Sequence, residues 1–183
     1  ERAVWLATRV THAHDEALAF ARLQATAITL VLRQPGIIAD PLAFHAALVT
    51  QLAPTTKSVA VKLDKIFGLL SHSAGAPEAA AALGTSTLAS ESVSAALWAF
   101  LSAPRSFVAT IAQAALLGGD VDSICCLAGA LAGALHGAVA IEPKWVANLA
   151  QEHPSPHAIL ALADSINGLV PSPPHAGRLE TLQ

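Results

Sequence analysis

Apolar positions recur along this chain at spacings of three and four, and almost every segment reads as helix. Over residues 15–33, Leu18, Ala21, Ala25, Ile28 and Leu32 form one stripe. Thr11 or Asp15 is placed to cap the start of that helix, and Gln34-Pro35-Gly36 ends it. Pro41 opens a second helix in its first turn, running to about Leu52. A third covers 57–71, with Val59, Leu63, Ile66 and Leu70 facing inward. Ser73–Pro77 reads as a loop, followed by a short helix to Leu83. Helices over 91–102 and 105–117 are split by Ala103-Pro104, and Gly118-Gly119 breaks the chain again. A helix rich in Ala and Gly follows over 122–137, then Pro143–Gln151 and Ser155–Asn167. No run alternates with period two, so strands are not expected. The fold class is all-α: a compact orthogonal multi-helix bundle over 1–169, with a flexible, proline-bearing tail over 170–183.

Composition narrows the function. The chain has 183 residues, 54% of them hydrophobic and 13% charged, which excludes disorder and supports a sizeable core. Abundant Ala with 4% aromatics favours closely packed helices. A net charge of −3 with no Lys/Arg run argues against direct nucleic-acid binding and against an anionic membrane surface. Ile124–Ile141 is apolar or small except for His136, and Gly129, Gly133 and Gly137 keep a small-xxx-small spacing. Ala and Gly insert poorly into lipid, and a buried central helix is the favoured reading. Cys125-Cys126 are adjacent, a poor geometry for a disulfide, and read as core residues of a reducing, intracellular compartment. The sequence has no methionine, so Glu1 is not expected to be the natural start.

Chemistry concentrates at Gly118-Gly119-Asp120-Val121-Asp122-Ser123. One reading is an N-cap, since acids suit a helix start. The other is a hard-oxygen cation site: two carboxylates and a hydroxyl suit Mg²⁺ or Mn²⁺, and no soft ligand invites zinc. The two glycines permit an unusual backbone path into the motif.

This string, followed by Ala128-Gly129-Ala130 and Ala132-Gly133-Ala134, is similar to the C-terminal metal motif of the ADP-ribosylglycohydrolase family. The family usually has Thr in place of Val121, and often in place of Ser123. Three weaker blocks occur in the family's order. Thr11-His12 resembles its "T-H" helix. Leu83-Gly84-Thr85-Ser86-Thr87, leading into Glu91-Ser92-Val93 and Ala96–Leu101, resembles its substrate-side loop. Glu142-Pro143-Lys144-Trp145 resembles its step into a following helix. The nearest members by this resemblance act on serine-linked ADP-ribose and poly(ADP-ribose).

The resemblance implies a hydrolase that removes ADP-ribose from modified proteins or from poly(ADP-ribose) with two magnesium ions, Mn²⁺ being an alternative. Asp120, Asp122 and Ser123 would supply one side of that metal site. His12 would lie close to the ADP-ribose, and Gly84, Thr85, Ser86 and Thr87 would line the pocket. The family's acidic catalytic residue and its Thr-Asp-Asp cluster have no counterpart here, so the chain reads as a C-terminal half with no identifiable catalytic residue. The missing half is expected in a longer parent chain or a second polypeptide. The alternative is an inactive, crystallin-like member of the same fold. The resemblance leaves the acceptor linkage open, along with the choice among cytoplasm, nucleus and mitochondrion.

Outside the motif, Glu91 reads either as a contact to the distal part of the ligand or as an acid in a first turn capped by Ser90. His14 reads as a solvated helix-start residue, His136 as a hydrogen-bonded core histidine, and Trp98 and Trp145 as core. Ser92 lacks the setting of a nucleophile.

Overall fold

The computed structural model describes residues 2–152 and 154–169. Every regular element among them is helical, and no strand forms. In order they are α1 (Arg2–Arg9), α2 (Asp15–Arg33), α3 (Pro41–Leu52), α4 (Lys57–Ser71), α5 (Ala76–Leu83), α6 (Ala89–Ser102), α7 (Phe107–Leu116), α8 (Val121–His136), α9 (Pro143–Asn148) and α10 (Pro156–Leu169). Short 3-10 turns cover Pro35–Ala39 and Ala138–Ala140. The chain packs as two units, one ending at Ile141 and one starting at Glu142. The expected tail over 170–183 lies outside the described residues.

In the first unit, α6 is the central helix. Ser90 and every residue from Ser92 to Leu101 are buried, and α2, α4, α5, α7 and α8 all pack against it. Its serines are tolerated there because their hydroxyls return to the backbone one turn earlier. Ser94 Oγ donates to the Ser90 carbonyl at 2.7 Å and Ser92 Oγ to Leu88 at 3.2 Å. This corrects the expectation that 122–137 forms the helix buried all round. On α8 only Ile124, Ala128, Leu131 and Ala132 are buried. Most of the rest are half-buried, and Cys126 and Ala130 are exposed. At Gly129 a Cβ would press on Ile111 Cδ1 at 3.3 Å, so it lets α7 approach closely.

Local signals fix the helix ends. Asp40 accepts from the backbone N–H groups of Leu42 and Ala43 at 3.0 and 3.1 Å, with Pro41 in the first turn of α3. Thr56 caps α4 and Ser106 caps α7. The α2 cap is His14 rather than Thr11 or Asp15: its Nδ1 accepts from Glu16 N–H at 3.2 Å. Ser90 likewise does not cap α6; Leu88 holds that position without a side-chain bond, and Ser90 sits inside the helix. His136 does hydrogen-bond, Nε2 meeting the Pro104 carbonyl at 2.9 Å. Trp98 is core, while Trp145 is half-buried within the second unit.

No described helix is long and apolar enough to cross a membrane. Of the two free cysteines, Cys125 packs against the core but Cys126 is exposed, which corrects the expectation for the second thiol.

Candidate functional site

The stripe Leu18, Ala21, Ala25, Ile28 of α2 is not the buried face of the helix, although Ile28 packs against the core. The buried face of α2 is Phe20, Leu23, Gln24, Ala27, Leu30 and Val31. Ala21, Ala25 and Ile28 instead line a cavity of about 720 Å³ in the first unit, and Leu32 is exposed. Alanines on that wall leave the space that larger side chains would fill. The far side is formed by the start of α8, with Asp120, Asp122, Ser123 and Cys126. His12 and Thr87 complete the polar rim.

Asp120 stands at the N-cap position of α8, yet its carboxylate makes no capping hydrogen bond. The neighbouring Asp120 side chain is the main reason Asp122 is held below the ordinary aspartate range, with the backbone N–H groups of Ser123 and Asp122 adding to it. Both carboxylates line the cavity, and that of Asp122 also accepts from N–H groups in the first turn of α8. Two left-handed glycines bring the chain there, Gly118 at φ 72° and Gly119 at φ 69°. A Cβ on Gly119 would overlap the carbonyl and side chain of Thr85.

That close approach ties the motif to the 83–88 loop. The Asp120 N–H donates to the Thr85 carbonyl at 2.8 Å. Ser86 N–H in turn donates to Glu91 Oε2 at 2.9 Å. The backbone and side chain of Ser86 hold the Glu91 carboxyl below its usual range, helped by the Lys62 ammonium and by Thr85 N–H. Gly84, at φ 78°, turns so tightly that a Cβ would overlap the Glu91 carboxylate. Lys62 donates to the Leu83 carbonyl and Lys65 to Ala82 at 3.2 Å, closing the last turn of α5. Burial pulls the Lys62 ammonium down, with Glu91 and Glu16 opposing.

The structure thus gathers His12, Thr87, Asp120, Asp122 and Ser123 at one cavity. Gly84, Thr85 and Ser86 are not in its wall; they hold the chain that leads to Thr87 and Asp120. His12 follows α1, its N–H bonded to Thr8 O and its Nδ1 2.8 Å from Thr11 Oγ1, which leaves Nε2 for other partners. Gln24 is a wall residue with no role expected from the sequence, and Cys126, expected in the core, stands in the wall too. The α2 stripe carried the signal for Gln24's neighbours, and one helical turn beyond Asp122 carried it for Cys126.

Among the described residues lining the cavity there are two carboxylates and neither lysine nor arginine. No group of three His, Cys, Asp or Glu able to hold a metal occurs among the described residues. The Asp120, Asp122 and Ser123 donors are nonetheless hard oxygen, the kind that Mg²⁺ or Mn²⁺ takes. The residues fit one face of a magnesium site.

A family profile described as ADP-ribosylglycohydrolase matches residues 1–175, so the chain belongs to the ADP-ribosylglycohydrolase family. The family's activity is hydrolytic removal of ADP-ribose. No curated protein compared with the chain matches it.

Proposed function

We propose that this protein binds ADP-ribose together with magnesium in the α2/α8 cavity, as a hydrolase acting on serine-linked ADP-ribose or poly(ADP-ribose). One observation carries the reading. Two carboxylates, Asp120 and Asp122, line a cavity that has no lysine or arginine in its described wall. A diphosphate would be repelled by that pair unless a divalent cation offset their charge.

Asp120, Asp122 and Ser123 would hold the cation side of the site. Bound magnesium would orient the ribose hydroxyls and polarise water for attack at the glycosidic carbon. The chain's own residues do the rest. The alanine face of α2 accepts the apolar surface of the ligand and excludes water. His12 Nε2 offers a hydrogen bond at the rim. Thr87 adds a hydroxyl beside the carboxylates.

Two carboxylates and one hydroxyl fall short of the six oxygens that magnesium takes. The remaining positions belong to water, to ligand hydroxyls and to a further stretch of polypeptide carrying the family's Thr-Asp-Asp cluster and catalytic acid. In this reading the chain supplies the C-terminal half of the complete site. The same shortfall favours one alternative, an inactive family member with a structural role.

Titration with Mn²⁺, followed by electron paramagnetic resonance, tests the metal half directly. The reading expects Mn²⁺ to bind wild-type protein and to be displaced by Mg²⁺. Asp122→Ala should lose that binding while keeping its helical circular dichroism. Wild-type protein that takes up no Mn²⁺ with ADP-ribose present would leave the structural alternative standing.

A further inference from the structure

The cavity does not account for Glu91. It is absent from the cavity wall, yet its carboxylate sits where three independent features converge. Gly84 has no room for a Cβ because of it. Ser86 N–H donates to it at 2.9 Å. The Lys62 ammonium stands close enough to be felt by it, while bonding the Leu83 carbonyl at the loop's entry. The next link in the chain is backbone to backbone: Thr85, one residue before Ser86, accepts from Asp120 N–H at 2.8 Å.

We propose that Glu91 is a positioning residue, which through the 83–88 loop sets the backbone of Asp120 and so the placement of the paired carboxylates. The geometry is a relay of rigid parts. Glu91 lies in the first turn of α6, the most deeply buried helix, so its own backbone is firmly held. From there the carboxylate grips Ser86, and Thr85 follows because it is the adjacent residue. The Thr85 carbonyl fixes the N–H at the exit of the Gly118-Gly119 turn, a turn with two left-handed residues. Lacking that anchor, two consecutive glycines would leave Asp120 free to sample other backbone angles. Outer groups of this kind set the aim of metal ligands and are worth about 10–100-fold in metal affinity.

The metal consequence rests on the proposed function, whereas the relay itself does not. Native-state amide hydrogen exchange on the full chain reads the relay without any ligand. In Glu91→Ala, the amides of Ser86 and Asp120 should exchange about tenfold faster or more, because a charge-assisted hydrogen bond is lost. The α6 amides from Val93 to Leu101 should keep their wild-type rates. Glu91→Asp keeps charge in the first turn but is one methylene too short, and should reproduce the faster exchange. Glu91→Gln keeps the reach and an acceptor oxygen, and should restore most of the protection. An Asp120 amide unmoved in both Glu91→Ala and Glu91→Asp would overturn the relay. So would α6 amides accelerating by the same factor, since that marks global destabilisation. Mn²⁺ affinity should follow the same order, with Glu91→Asp weaker than Glu91→Gln. If wild-type protein takes up no Mn²⁺, the proposed function fails and the claim on carboxylate aim falls with it. The exchange result still decides the relay.

Discussion

The backbone N–H of Asp120 donates to the carbonyl of Thr85 at 2.8 Å, across 35 positions of sequence. This one bond joins the acidic motif at the head of α8 to the polar loop before α6. Neither segment alone specifies the site. The close approach it needs is bought by Gly119, where any side chain would collide with Thr85.

Gly119→Ala should therefore break the site. A left-handed backbone costs a non-glycine residue about 1–2 kcal/mol, and the overlap with Thr85 adds to that. Gly118 has a similar φ of 72° but open space around it, so Gly118→Ala should bear only the backbone cost. Denaturant melts should rank Gly119→Ala below Gly118→Ala. Ligand binding should be lost in the first and weakened in the second. Equal effects would mean that the approach to Thr85 is unimportant.

The cavity depends on the small residues of α2. Ala25→Leu puts an isobutyl group into the space between α2 and α8 without displacing the buried face of the helix. The melting temperature should stay within a few degrees of wild type, roughly the shift of 1 kcal/mol in a domain of this size. ADP-ribose binding should disappear. Retained binding would place the ligand elsewhere.

Much of this fold is legible from the sequence, and the failures have physical causes. Helices over 15–33, 41–52 and 57–71 are found where the apolar spacing and the Pro and Asp signals put them. The α2 stripe shows that periodicity identifies an apolar face but not what the face meets. Core and cavity wall look alike when both are lined by Ala and Ile. The smallest residues point to 122–137 as the central helix, whereas α6 holds that place. In α6 the serines disguise the burial, since their hydroxyls bond to the helix itself. Asp120 and Asp122 were legible as a pair, and Glu91 only as one acid in a first turn. Its role depends on Gly84 and Ser86 folding back onto it, a contact that no spacing rule encodes.

Glu91 also makes the loop sensitive to acid. Its folded-state carboxyl is held below the ordinary glutamate value of about 4.3. The stability it contributes is fully present above that ordinary value, and is lost as pH falls through the lower, folded value. The difference in melting temperature between wild type and Glu91→Gln should stay constant from about pH 7 to about pH 5, then shrink toward about pH 3. A difference that does not change over that range would contradict the depressed carboxyl.

His136 gives a contrasting case, structural and remote from the cavity wall. Its Nε2 meets the Pro104 carbonyl at 2.9 Å, tying the end of α8 to the connection between α6 and α7. His136→Phe removes the partner of a half-buried carbonyl and should cost about 1–3 kcal/mol. Urea melts measure that loss. Ligand affinity at a temperature where the variant is folded should match wild type.

The central claim is that the α2/α8 cavity takes ADP-ribose only with a divalent cation at Asp120 and Asp122. Calorimetric titration of ADP-ribose into the purified protein, with Mg²⁺ and then with chelator, tests it most directly. The account predicts saturable binding with Mg²⁺ that vanishes with chelator and in Asp122→Ala. Binding of equal strength in chelator, or none in either buffer, would contradict it.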